Sequence, residues 1–372
     1  MSKSAIVIGA GIAGMATARA LAVRGYAVTV FERNEKAVGA SIRNFGMVWP
    51  IGQPDGELYQ RAMRSRSIWS EVCNESEIWH NPCGSLLTAY HADESEVIKE
   101  FIEKHHNTRP IRLLSKEETL QISPATHPAG LRDALWSETE IIVDPRQAIV
   151  ALPAYLTSKY GIIFHFNKAV SRIEHPRVYT GREVYEADVI YVCSGADFET
   201  LYPEDFSASG ITKCKLQMLR TVPQPHSWDA GPALSAGLTL THYGAFQSCA
   251  SLAALSERYN NHMPEYVRWG IHVMISQNQL TEVTIGDSHE YGLVHDPFDR
   301  ATINQLIMDY LKTFVVLKDF NIAQTWNGIY PKLKGKTEFV VEVESGVTII
   351  NGLSGAGMTL SFGLAEEVVA KL

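Results

Sequence analysis

Residues 5–33, AIVIGAGIAGMATARALAVRGYAVTVFER, carry the architecture of this chain. An apolar, β-rich run over residues 5–8 enters Gly9, Gly11 and Gly14 in GxGxxG spacing, and Ala13, Ala16, Ala18 and Ala20 then line a helix able to lie close to a sheet. The glycines have separate duties. Gly9 permits a tight turn, Gly11 lets a pyrophosphate approach the backbone ahead of Ile12 and Ala13, and Gly14 lets helix and strand pack closely. The helix N-terminus offers unpaired N–H groups and the positive end of its dipole to phosphates. A second strand, Ala27–Phe31, ends at Glu32 and Arg33; a carboxylate placed about twenty residues past the glycines accepts hydrogen bonds from a ribose hydroxyl pair and disfavours a 2′-phosphate. Strand, glycines, helix, strand and acid in this order predict a dinucleotide-binding unit, with a ligand-free, close-packed βαβ corner as the alternative.

The rest of the composition sets bounds. A chain of 372 residues, 45% of them hydrophobic, can build two domains or one domain with a large insertion. Its 33 basic and 41 acidic residues leave a formal charge of −8, which argues against nucleic acid or an anionic membrane as the main partner. Cys73, Cys83, Cys193, Cys214 and Cys249 form no CxxC pair, so neither a disulfide framework nor a zinc site is expected, and reduced thiols in a cytoplasmic protein are. Arg19 and Arg24 interrupt the apolar N-terminal run, which the dinucleotide turn explains better than a signal peptide does. No segment reaches the roughly eighteen uncharged apolar residues of a membrane span.

Further along, residues 38–54 (VGASIRNFGMVWPIGQP) read as a functional loop and residues 57–72 as a helix. Residues 83–89 and 111–114 read as strands around a helix over 94–106, and Ser115 followed by acids is an N-cap signal. A helix over 147–160 and strands over 162–166, 168–174 and 186–192 form a second α/β stretch that runs into Cys193, Ser194 and Gly195. Residues 216–222, 236–243, 270–276 and 280–285 are β-rich and suggest a separate antiparallel sheet, with one helix over 299–317. A hairpin over 340–351 then leads to NGLSGAGMTLSFGLAEEVVAKL, a second glycine turn (Gly352, Gly355, Gly357) opening a second helix. A chain that begins and ends with such elements folds its two ends around one ligand. The predicted fold class is α/β plus α+β: a Rossmann-like domain from residues 1–75, 140–212 and 326–372, and an antiparallel-sheet substrate domain from residues 76–139 and 213–325.

VIGAGIAG with VFER, KAVSRIE, VIYVCSGA and GLSGAGMTLSFGLAEEV resemble, in order, four motifs of the D-amino-acid-oxidase-like superfamily of FAD-dependent oxidoreductases, which includes glycine and sarcosine oxidases. The resemblance runs nearly end to end. It implies FAD, with Val170 at the adenine-side backbone contact, Ser194 and Gly195 on the strand returning to the cofactor, and Gly352, Gly355, Ala356, Gly357, Met358 and Thr359 near the isoalloxazine. Ser41, Asn44 and Gly46 of the loop join this cofactor set. The implied activity is hydride transfer from the carbon beside a primary or secondary amine to flavin N5, giving an imine that hydrolyses to an aldehyde or keto product. Oxygen or another acceptor then reoxidises the flavin. GASIRNFGMVWPIGQPDGELYQRA and GIHVMISQN with TIGDSHEYG resemble a subfamily associated with aminophosphonate catabolism, implying 2-aminoethylphosphonate or its N-methyl derivative as substrate; a glycine, sarcosine or D-amino-acid type is the alternative.

Three departures from the family pattern qualify this. Trp326 and Asn327 stand where covalent members carry a cysteine, so the FAD is expected to be non-covalent. Thr284 stands at the position of the oxygen-activating lysine, and His272 and Met274 occupy the strand of the carboxylate-binding arginine.

Arg43 can meet an anionic substrate group or a flavin phosphate, or form a structural ion pair, and His272 can face substrate or be a hydrogen-bonded core residue. Gln277 and Gln53 can orient substrate oxygens or satisfy backbone groups. Tyr330 and Lys332 complete the catalytic candidates, on the segment that lines the flavin face in the family. His289 and Glu290 have no third partner at useful spacing, so no metal is expected. Two readings outside this class are an NAD-dependent dehydrogenase, which leaves GLSGAGMT unexplained, and a flavin-binding protein without catalysis.

Overall fold

The computed structural model describes residues 3–372. Its first sheet has six strands in the order Phe339–Glu344, Val347–Asn351, Val189–Val192, Ser4–Ile8, Ala27–Phe31 and Ile163–His165. All neighbours are parallel except the terminal hairpin. The first and last helices, Ile12–Val23 and Gly357–Val369, lie against each other, and the second also lies on Glu57–Ser76. Small side chains permit this. Ala16, Ala18 and Ala20 are buried in the shared core, and a Cβ on Gly363 would stand 2.4 Å from the Arg61 carbonyl.

The second sheet has nine strands. Eight run in the order Glu290–Gly292, Thr212–Thr221, Val283–Gly286, Met274–Gln277, Ala233–Ala236, Ser85–Ala89, Asp133–Ser137 and Ile111–Ser115, and Ile322–Lys332 pairs with Thr212–Thr221. It is mixed rather than wholly antiparallel, because Ala233–Ala236 runs parallel to Ser85–Ala89. Its apolar core includes Phe101, Leu255, Ile307 and Phe314 of the helices Ala92–His105, Leu252–His262 and Ala301–Phe314. Ser115 caps the helix Lys116–Ile122 in a capping box: its Oγ accepts from Glu118 N (3.2 Å), while Glu118 Oε2 accepts from Ser115 N (2.8 Å). No helix among the described residues is long and apolar enough to cross a membrane, and the five cysteines are free.

Two expectations need correction. Residues 236–243 are not one strand: the strand Ala233–Ala236 ends at Gly237, and Leu238–His242 is a short helix with Leu238, Thr239 and Leu240 all buried. The alternation of Leu238, Thr239, Leu240 and Thr241 imitates a strand over too few residues to decide the state, and here Leu238 N donates to the Tyr310 hydroxyl (3.0 Å) instead of to a strand partner. The boundary expected at residue 326 falls inside the strand Ile322–Lys332, which belongs to the nine-stranded sheet.

Candidate active site

A groove of about 770 Å³ follows the carboxyl ends of the parallel strands and is lined by Gly9, Gly11, Glu32, Arg33, Val170, Ser194 and Gly195. Gly9 has φ +103°, and a Cβ there would stand 2.4 Å from the Cys193 carbonyl oxygen; one on Gly14 would stand 1.8 Å from the Gly9 carbonyl oxygen. Gly14 and Ala13 therefore act by packing, outside the groove lining. Ser41 reaches across to the helix start, its Oγ accepting from Ile12 N (3.0 Å) and lying 3.1 Å from where a Gly11 Cβ would be. Glu32 is buried, with its carboxylate accepting from Ala10 N (3.0 Å) and Asn34 N (3.0 Å). Arg33 pairs with Asp197 (2.9 Å) across the groove mouth. Ser194 Oγ donates to Asp197 O (2.8 Å), and Gly195 has φ +60° with nothing within 4 Å of where a Cβ would stand, leaving backbone open to a ligand.

A second cavity, of about 350 Å³, lies between residues 355–359 and the nine-stranded sheet. It meets the groove at Ala40, Ser41 and Arg43, which line both. Ile12, Asn44, Gly355, Ala356, Gly357, Met358 and Thr359 are in its wall, as are His272, Tyr330 and Lys332. Thr359 Oγ1 accepts from Trp49 N (2.9 Å), tying the C-terminal motif to the loop. Asn44 braces that loop, donating to Ser41 O (2.9 Å) and accepting from Gly46 N (2.7 Å).

Other expected site residues fall elsewhere. Gln277 lines neither cavity: its Oε1 accepts from Ala230 N (2.7 Å) and its Nε2 donates to Thr281 O (3.2 Å), so backbone satisfaction consumes it. Gly46 (φ +73°) and Gly352 (φ +70°) also line neither and serve as turns packed against Val143 O and Phe339 N. Arg43 faces the cavities, but its Nε donates to Val38 O (3.0 Å) and its Nη1 to Asn327 O (3.1 Å), so it joins the loop to the strand Ile322–Lys332 and forms no ion pair among the described residues.

The feature that sequence spacing hides is a histidine cluster in the same wall. His242, His272 and His289 each offer a ring nitrogen, and these atoms all lie within 4.8 Å of one another. Along the chain His289 lacks a third partner; the fold supplies two neighbours from elsewhere. His272 and Asp287 face each other at the end of a strand pair, with Asp287 N donating to His272 O (2.9 Å) and His272 N to Asp287 O (3.3 Å). The short helix Leu238–His242 delivers His242 on top of them, its ring 3.7 Å from that of His272. His289 Nδ1 donates to Gly270 O (2.8 Å), which leaves Nε2 as the free nitrogen of the neutral ring.

Residues 4–371 match the family described as FAD dependent oxidoreductase (DAO). This chain belongs to that family. Solved structures of similar fold include L-proline dehydrogenase from P. horikoshii (21% identical, TM-score 0.76, covering 99% of this chain and 92% of that one). Glycine oxidase from Geobacillus kaustophilus is 18% identical, with a TM-score of 0.75 over 100% of this chain and 95% of that one. Among curated relatives, the L-2-hydroxyglutarate dehydrogenase of Arabidopsis thaliana is 24% identical over 98% of this chain and 82% of its own length. The bifunctional tRNA-modifying protein MnmC of Saccharophagus degradans is 26% identical over 54% of this chain, and the match spans only 29% of that relative.

The cofactor of this FAD-dependent oxidoreductase fits the residues present. The joined groove and cavity suit an extended dinucleotide, the helix Ile12–Val23 opens on it, and Gly9, Gly11 and Gly14 hold backbone where side chains would collide.

The cavity wall is electrostatically unusual. Burial lowers the His272 and His242 imidazoles well below their ordinary value, reinforced by His289 at His272 and by His272, His289 and the Lys332 ammonium at His242. His289 is lowered to about 4 by burial, with the Gly270 carbonyl opposing and Lys332 reinforcing the shift. Burial pushes the Asp287 carboxyl well above the carboxylate range and the Tyr330 hydroxyl well above its own. At neutral pH the three imidazoles and the Asp287 carboxyl of this wall are uncharged. His242 keeps accessible surface, which opens into the cavity.

Proposed function

We propose that this FAD-dependent oxidoreductase dehydrogenates the carbon beside the nitrogen of a small, anionic amine, and that 2-aminoethylphosphonate or its N-methyl derivative is the best substrate. The observation that carries this reading is the placement of a small cavity with one polar side directly between the Gly355–Thr359 turn and Lys332 with the histidines. Held along the groove and against the Gly355–Thr359 turn, a flavin would supply a hydride acceptor facing the histidine side of this cavity. The chain's own residues confine the substrate: Tyr243, Trp49 and Met218 give the cavity an apolar side that excludes water, and Lys332 and the histidines give it a polar side that orients an anion. Glycine oxidase, iminodiacetate oxidase and L-proline dehydrogenase, by their names, act on carbon–nitrogen bonds, which supports the amine. No cysteine lines the cavity beside the C-terminal turn, which supports a non-covalent FAD.

A glycine or sarcosine type of substrate fits the same cavity. The nearly full-length similarity to L-2-hydroxyglutarate dehydrogenase favours a second reading, oxidation of a hydroxy acid. Anaerobic mixing of the yellow protein with 2-aminoethylphosphonate, its N-methyl derivative, glycine, sarcosine and L-2-hydroxyglutarate decides among them. Bleaching by the aminophosphonates is expected; bleaching by the hydroxy acid alone would refute the amine. Admitting air and measuring peroxide then tests oxygen as acceptor.

A further inference from the structure

Three stacked histidines in a substrate cavity invite a metal, but their geometry argues otherwise. A metal ion bonded to two imidazoles lies in the plane of each ring at about 2 Å from each nitrogen. The His242 and His272 rings are stacked 3.7 Å apart and inclined by only 27°, and those of His272 and His289 by 19° at 5.3 Å. Planes so nearly parallel do not intersect within bonding distance. The surroundings also disfavour a cation: Lys332 raises the cost of positive charge at His242 and His289, and the neighbouring carboxyl, Asp287, is held neutral by burial.

The same features suit an anion. Each ring presents a separate nitrogen, so three donors on one wall can meet three oxygens, with Lys332 as the fixed cation beside them. His272 Nδ1 is buried in this wall with no hydrogen-bond partner, and so is Asp287 Oδ1. His272 Nε2 lies 3.1 Å from that carboxyl oxygen without the alignment of a hydrogen bond, so a buried polar pair is left for a ligand to complete. His289 is already oriented, because its bond to Gly270 O leaves Nε2 free.

We propose that His242, His272 and His289 with Lys332 form the subsite for the substrate's anionic head group, and that it selects a tetrahedral dianion of the phosphonate or phosphate class over a carboxylate. Selection follows from donor number, since a carboxylate has two oxygens and would leave one imidazole unmatched in a desolvated wall. Binding is coupled to proton uptake. An imidazole nitrogen that carries a lone pair in the empty cavity takes a proton from bulk water and donates it as N–H to the anion, so the buried positive charge forms only where the ligand compensates it. The charged and titratable groups that share the cavity wall with the cluster are Arg43, Asp287, Lys332, Lys336, Tyr243, Tyr291 and Tyr330, and each phenol stays un-ionised near neutrality. This assignment rests on the amine-oxidoreductase reading only for which end of the substrate it holds.

The test uses the flavin-loaded protein and two probes that cannot be oxidised, methylphosphonate and acetate, titrated while the visible flavin spectrum is recorded. Calorimetry in two buffers of different ionisation enthalpy counts protons. Methylphosphonate, titrated at a pH above its second ionisation so that it enters as the dianion, is expected to bind at least tenfold more tightly than acetate, with uptake of about one proton. His289→Asn and Lys332→Met are each expected to weaken methylphosphonate at least tenfold while FAD content and melting temperature are kept; should either variant lose its FAD, the proton count on the unmodified protein stands as the test. Acetate binding as tightly as methylphosphonate, or no proton uptake, overturns the proposal. So does a stoichiometric metal in the purified protein whose removal by chelator abolishes methylphosphonate binding. Failure of the broader reading looks different: methylphosphonate still perturbs the spectrum, but no amine bleaches the flavin.

Discussion

The buried His289 makes stability depend on pH in a direction and window that can be worked out. Its imidazole titrates at about 4 in the folded protein against 6.5 unfolded, so between these values the unfolded chain binds the extra proton. The unfolded state then gains as pH falls, and stability is lost on acidification through the window from 6.5 down to 4. Integrated for one site, the loss between about pH 7.5 and about pH 5 is about 2 kcal/mol, rising to about 3 kcal/mol below the folded value. His242 and His272 are lowered in the same direction and add to it. His289→Asn removes the titration while leaving an amide able to donate to the Gly270 carbonyl, as Nδ1 now does (2.8 Å). Urea unfolding of wild type and variant at the two pH values, at matched FAD saturation, measures the effect. The variant is expected to lose about 2 kcal/mol less than wild type on acidification. Equal losses in the two proteins would refute the claim that this ring is buried neutral.

Gly14→Ala places a Cβ 1.8 Å from the Gly9 carbonyl oxygen, so helix and glycine turn must separate; the purified variant is expected to retain less than about a tenth of wild-type FAD, read from its visible-to-ultraviolet absorbance ratio. Arg109, buried on the Tyr59 ring (4.1 Å), donates to Ile51 O (3.3 Å), Gln53 O (2.8 Å) and Asp55, and so clamps the loop that supplies Gln53 and Pro54 to the cavity. Arg109→Met is expected to cost about 2–4 kcal/mol of stability and to raise KM more than it lowers kcat, measured by denaturation and steady-state assay.

The cofactor half is legible in the chain because its parts are local. Glycine duties, strand endings and the capping box at Ser115 depend on residues a few positions apart, and the terminal GLSGAGMT declares itself in the same way. Short runs are less legible. Leu238–His242 alternates apolar and polar residues as a strand would, and only its packing, with three successive buried side chains and the Tyr310 hydroxyl on Leu238 N, makes it a helix. Gln277 reads as a substrate residue for a related reason: it sits on a strand of the sheet that walls the cavity, but its amide closes local backbone groups.

That the chain carries two glycine turns, one at each end, and takes FAD follows from the order of residues, since each motif carries its own backbone geometry. What stands opposite that cofactor follows from the folded chain only. His242, His272 and His289 come from a short helix, a strand approach and a loop, and no spacing along the chain relates them. Strand register puts His272 opposite Asp287, helix formation after Gly237 swings His242 over both, and the Gly270 carbonyl turns His289 toward them. Their packing together in one wall then lowers all three imidazoles, a property that belongs to the assembled wall and to none of its residues alone.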